Sequence, residues 1–217
     1  SLGFFVRRQA ILPIFEAMQK AEVPAAFRPA LARALATASA DDVRELAQKA
    51  TGSRIEIDVL RSAEGQLRAA QSTIEPSLVR LAKQNASNWE VLYVLAPLVL
   101  SLARDGAPSA DLLATYRGFL APTQPPALRA HAVELATGVP ALEASLAQAL
   151  TDAHPRVRRE AALALSKSAK VSLVRPLVRD EWSFVRSEAI VAMRKLPAEP
   201  ALDADIASYV SDASTQV

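Results

Sequence analysis

Apolar positions along the chain recur at intervals of three and four, and prolines and glycines cut that pattern into blocks about ten to sixteen residues long. The spacing predicts helices over roughly 4–20, 24–38, 41–50, 55–71, 76–84, 89–103, 109–120, 126–137, 140–151, 155–168, 171–179, 183–196 and 201–211. Many boundaries carry start or stop chemistry. Ser109 precedes ADLLATYRGFL as an N-cap, and Pro126, Pro140 and Pro155 stand where a first-turn proline costs no hydrogen bond. Gly52 and Gly138 follow apolar periodic stretches, as glycine does past a helix C-terminus. No block is long enough for a coiled coil. Short helices on short links are expected to pack antiparallel. The most apolar run, VLYVLAPLVLSL at 91–102, is too short to cross a membrane and contains Pro97. It reads as a helix buried on most sides, with Trp89 expected to be buried beside it.

One segment is written twice. DAHPRVRREAALAL at 152–165 returns at 180–193 as DEWSFVRSEAIVAM, with six of fourteen positions identical at an offset of 28. The aliphatic Leu150 closes one helix, Asp152 begins a tight link, and Val157 and Arg158 begin the next helix. Ala161, Ala164 and Leu165 continue its inner face. The second copy supplies Val178, Asp180, Val185, Arg186, Ala189, Ala192 and Met193. A weaker copy lies upstream, where Leu128, Arg129 and Ala132 align 29 residues before Val157, Arg158 and Ala161, with Thr123 at the Asp position. A partial copy at the end has Val210, Asp212 and Val217. Two helices per period of about 28 to 32 residues imply a solenoid in which each pair buries its apolar face against the next. An Asp in the turn can accept backbone N–H groups opening the second helix, and an Arg six residues on can reach the Asp of an adjacent repeat. Asp152, Arg158, Asp180 and Arg186 are therefore expected to form a structural ladder.

This pattern resembles the short bacterial form of the HEAT repeat, a two-helix unit with Asp in the turn followed by Val-Arg and small residues. The match covers 140–196 well and 120–137 and 201–217 in part. The resemblance implies an all-α fold, a right-handed α-solenoid of antiparallel helix pairs, and a binding scaffold in place of an enzyme. Residues 1–119 keep only the helical-hairpin rhythm and are expected to be degenerate hairpins continuous with the array at 120–217. Two readings of the end stay open. Either the array continues past Val217, or ALDADIASYVSDASTQV is an acidic cap without Lys or Arg.

Composition supports the helical reading, since Ala and Leu dominate a chain that is 51% apolar and only 5% aromatic. The absence of cysteine excludes disulfides, thiolate metal sites and a cysteine nucleophile, and it fits a cytoplasmic setting. A membrane-anchored or exported parent stays open, because SLGFFVRR puts Arg7 and Arg8 behind an apolar pair. The preferred reading there is an amphipathic first helix with Phe4 and Phe5 packed inward.

Charge is unevenly spread. Residues 156–195 carry ten basic and four acidic side chains, while 196–217 carry four acids and no base. That block points to an anionic partner, or to a solvated face that the tail neutralises.

No chemistry emerges elsewhere. There is no GxGxxG, GxxxxGK or GxSxG stretch. Asp41 and Asp42 read as helix capping, and Glu56 and Asp58, two apart on a helix, point to different sides. His131 is placed to meet Glu134, and His154 is expected to be exposed in a turn; neither has neighbours at zinc-ligand spacing. No catalytic residue, metal or cofactor is expected.

The function expected is protein–protein interaction. Positions that scaffold stacking recur between copies, and those that differ are free to specialise. On that ground Arg156, Arg159, Arg179, Trp182 and Phe184 are the candidate partner-binding residues, suited to an acidic, partly apolar face. The second choice is nucleic acid held by Arg156, Arg158, Arg159, Lys167, Lys170, Arg175, Arg179, Arg194 and Lys195. A DNA-glycosylase-like version would draw on Trp89 and Trp182, but acidic and aromatic residues are not interleaved with the basic block at helical spacing.

Overall fold

The computed structural model describes residues 39–63, 65, 71–105, 107–168, 170–194, 196, 203, 204 and 207. The expected helices over 4–20 and 24–38, the Phe4–Phe5 pair with Arg7 and Arg8, Lys195, and the last copy with Val210, Asp212 and Val217 lie outside them. All regular structure among the described residues is helical. The chain divides into two compact units, Ser1–Tyr116 and Arg117–Val217.

In the first unit α1 (Ala40–Lys49) starts with a reciprocal cap, in which Ser39 Oγ accepts the Asp42 N–H at 3.2 Å and the Asp42 carboxylate accepts the Ser39 N–H at 3.0 Å. Asp41 pairs instead with Arg44. Helix α2 (Arg54–Ser62) repeats the device with a buried carboxylate. Glu56 Oε2 accepts the N–H groups of Thr51, Gly52 and Ser53 at 2.9, 2.8 and 2.8 Å, while Asp58 is exposed. The turn needs Gly52, whose φ of 100° lies in the left-handed region.

Helix α3 (Gln71–Gln84) begins five residues before the expected start and carries Pro76 inside it. Helix α4 (Trp89–Asp105) carries Pro97. Helix α1 packs on α2 and α3, and α4 on the same two helices. Leu46, Ile57, Leu60, Ile74, Leu78, Leu81 and Leu92 are fully buried between them. Each such side chain contributes roughly 1.5–3 kcal/mol of burial free energy. Arg80 Nη2 donates to the carbonyls of Ala47, Gln48 and Ala50 at 3.0, 2.9 and 3.1 Å, satisfying groups that the C-terminus of α1 leaves open.

Trp89 departs from its expected burial. It is 38% exposed and meets Tyr93, equally exposed, edge-on at 6.4 Å. The buried stripe of α4 runs through Val91, Leu92, Leu95, Ala96 and Val99, and residues four apart share a face, so 89 and 93 lie together on the outward one. Helix α5 (Ala110–Phe119) is capped by Ser109 Oγ, which accepts the Leu112 N–H at 3.1 Å.

The second unit contains α6 (Pro126–Leu135), a 3₁₀ turn at Pro140–Leu142 running into α7 (Glu143–Ala149), α8 (Pro155–Leu165), a 3₁₀ helix at Val171–Arg179, and α9 (Ser183–Met193). Helices α6, α8 and α9 pack in succession, α7 lies on α8, and the 3₁₀ helix lies on α8 and α9. Leu128, Val133, Leu146, Val157, Ala161, Leu165, Val174, Val185 and Ala189 fill the interior. The 3₁₀ winding of 171–179 has a visible cause. Buried Val171, Val174 and Leu177 are three apart, which three residues per turn keeps on one side, and Pro176 lacks the N–H an α-helix would use. No helix among the described residues is long and apolar enough to cross a membrane.

Candidate interaction surface

The turns between paired helices in the second unit are built alike. Asp152 Oδ1 accepts the His154 N–H at 2.8 Å, and Asp180 Oδ1 accepts the Trp182 N–H at 2.9 Å. Each carboxylate is then gripped from the preceding helix of the stack. Arg129 donates Nε to Asp152 Oδ2 at 2.8 Å and Nη2 to Oδ1 at 2.7 Å. Arg158 donates Nε to Asp180 Oδ2 at 2.7 Å and Nη2 to Oδ1 at 2.8 Å.

The third guanidinium nitrogen turns back to the arginine's own link. Arg158 Nη1 donates to the carbonyls of Asp152 and Ala153 at 2.9 and 3.3 Å, and Arg186 Nη1 to those of Asp180 and Glu181 at 2.8 and 3.1 Å. Arg129 Nη1 does the same with the carbonyls of Pro122 and Gln124. Burial alone would raise both carboxyls. Hydrogen bonds from the arginine and from the backbone N–H, with the arginine charge, outweigh it and hold Asp152 and Asp180 below the usual carboxylate range. The Asp180 hydrogen bond in turn raises Arg158, against the opposing effect of its burial.

The repeat alignment contained Arg129, but the expected ladder did not include it. Its signal was the offset of 29, and the missing upstream Asp at Thr123 hid it, because Arg129 serves the Asp that follows. Glu160 and Glu188 were also overlooked, although both are identities between the copies. They hold Arg159, at 3.1 Å from Glu160 Oε1 and 3.6 Å from Glu188 Oε2. Burial raises the Glu160 carboxyl; Arg159 opposes this, and the nearby Glu134 and Glu188 reinforce it.

Of the remaining candidates, Arg156, Trp182 and Phe184 stand at helix starts and Arg179 at the end of the 3₁₀ helix. Trp182 is the N-cap residue of α9, 47% exposed, with its ring centroid 5.8 Å from that of Phe184, which is 40% exposed. Arg156 and Arg179 are exposed. At the matching position of the upstream copy His154 is half-buried, not exposed as expected, because Nδ1 accepts the Arg156 N–H at 3.2 Å and caps α8. Trp182 offers no such acceptor, which leaves its ring outside. His131 Nδ1 lies 3.8 Å from Glu134 Oε2. Among the described residues no group of three or more His, Cys, Asp or Glu side chains is placed to hold a metal.

Comparison with protein-family models, with curated proteins and with solved structures found no match to this chain.

Proposed function

We propose that the chain forms a HEAT-like, right-handed α-solenoid that serves as a non-enzymatic protein–protein interaction scaffold. The observation that carries this reading is the exposed Trp182–Phe184 pair at the start of α9, where the turn geometry of the repeat is kept but the capping histidine of the other copy is replaced. Large exposed aromatics beside arginines are the composition of protein-binding hot spots. Arg179, three residues before Trp182 in the chain, and Arg156, at the start of α8, are exposed cations of the same unit, and an acidic, partly apolar face of another protein is the proposed complement.

Nucleic-acid binding draws less support, because the basic block is partly spent inside the fold. Arg158 is committed to Asp180, Arg159 to Glu160 and Glu188, and Lys170 to Glu143 at 3.3 Å. Capture experiments at ~50 and ~200 mM salt, with and without nuclease, separate the two readings, because phosphate contacts weaken steeply over that range. A bound protein retained at both salts after nuclease, and lost with Trp182→Ala/Phe184→Ala, is the expected result. Loss with nuclease or salt in the wild type would transfer the function to nucleic acid.

A further inference from the structure

Away from the aromatic surface, the second unit holds a concave pocket of about 440 Å³ among α6, α7 and the turn at 151–153, a size in the range of small-ligand sites. Its origin is legible in the repeat. Ser145, Ala149 and Ala153 line it, and 28 positions on the next copy has Leu173, Leu177 and Glu181. Of the three larger residues only Leu177 is buried, so the difference that bears on the pocket is at 149, where alanine stands in place of the next copy's leucine.

The pocket's charges are specific. Arg129 and Asp152 line it but neutralise each other through their two-pronged pair. Arg117, also in the lining, is exposed, and its Nη2 donates to the Ala141 carbonyl at 3.2 Å. That bond holds the guanidinium in place and uses one Nη2 hydrogen, which leaves the second Nη2 hydrogen to form a fork with Nη1 or Nε for a ligand. One uncompensated guanidinium matches one carboxylate, whose two oxygens fit the planar fork, better than a doubly charged phosphate. Leu120, Pro122 and Ala149, which keep accessible surface, supply apolar wall.

We infer that this pocket binds a single carboxylate bearing a short apolar tail, with the carboxylate on Arg117 and the tail against Leu120, Pro122 and Ala149. A peptide C-terminus and a free aliphatic acid share that chemistry. The site is independent of the Trp182 surface and does not rest on the scaffold reading.

The test uses the full chain in calorimetric titrations with three probes: octanoate, a pentapeptide ending in valine and leucine with a free carboxylate, and the same peptide amidated. At least one free-carboxylate probe binds, the amide does not, and Arg117→Gln weakens binding by about tenfold or more. Ala149→Leu, which installs the residue of the next rung, abolishes it. Binding of octanoate alone identifies a free acid, and binding of the peptide alone a chain terminus. The inference is overturned if neither carboxylate binds, if the amide binds equally, or if Arg117→Gln leaves affinity unchanged. Because Ala149→Leu can disturb packing, its melting temperature is compared with that of the wild type, and the amide and Arg117→Gln arms decide the outcome if it unfolds.

Discussion

Arg158 closes a two-pronged ion pair on Asp180, Nε to Oδ2 at 2.7 Å and Nη2 to Oδ1 at 2.8 Å, and that same Oδ1 accepts the Trp182 N–H. One carboxylate thus ties two helices of the stack together and sets the backbone from which the exposed indole projects. Rigidity at the turn is what gives an exposed aromatic a defined position, which lowers the ordering cost of binding.

With side-chain exposures of 10% and 5%, the Arg158–Asp180 pair is buried. Arg158→Ala leaves Asp180 charged and without its main partner, and should cost about 3–5 kcal/mol in urea denaturation. Arg158→Met with Asp180→Leu should recover much of that loss. Arg156→Ala, on an exposed side chain, should change stability by less than about 0.5 kcal/mol and weaken partner capture instead. Equal stability of Arg158→Ala and wild type would remove the ladder from its structural role.

Gly52 and Gly138 both have positive φ, 100° and 78°, but differ in surroundings. A Cβ on Gly52 would sit 2.3 Å from Asn85 Nδ2, whereas one on Gly138 meets nothing within 4 Å. Asn85 is itself held, donating Nδ2 to the carbonyls of Thr51 and Leu81. Gly138→Ala should therefore cost about 1 kcal/mol, and Gly52→Ala distinctly more. Thermal melts of the two variants check the order.

Acid should loosen the second unit. Asp152 and Asp180 have folded-state pKa values below their unfolded ones, so their stabilisation is fully present above the unfolded value of about 3.9 and is lost as pH falls through the lower folded values. Asp180→Asn keeps an oxygen for the Trp182 N–H but abolishes the charge. Its stability should be lower at neutral pH and vary less with pH in the acid range, read from urea midpoints.

Glu160 works in the opposite direction. Its folded-state pKa is raised, so its ionisation opposes folding increasingly as pH climbs from the unfolded value of about 4.3 through the folded one. Glu160→Gln should raise the melting temperature at pH ~7 and lose that advantage below pH ~4. Arg159 keeps Glu188 in the variant. A lower melting temperature at neutral pH would show that the Arg159–Glu160 contact outweighs the burial of the carboxyl.

Both tryptophans of the chain are partly exposed, Trp89 at 38% and Trp182 at 47%. Acrylamide should quench both, and in a Trp89→Phe variant the remaining emission reports on Trp182 alone. A bound partner should shield that signal and shift it to the blue. An unquenched Trp182 would contradict its exposure.

Much of the helical layout was legible from the spacing of apolar residues and from proline and glycine, because backbone caps and first-turn prolines act locally. Ser109, Pro126, Pro155, Gly52 and Gly138 needed no distant partner to be read. The repeat of Asp, Val and Arg at an offset of 28 likewise marked residues whose roles recur, since identical packing sites demand identical side chains. Pairing between those residues was decided by tertiary structure. That Arg129 serves Asp152, that Arg159 lies between two glutamates, and that Glu56 gathers three N–H groups all depend on which elements become neighbours. Exposure was also beyond the linear pattern. Trp89 looks suited to a core, and only the direction of its helix face, set by packing against other helices, turned that ring outward.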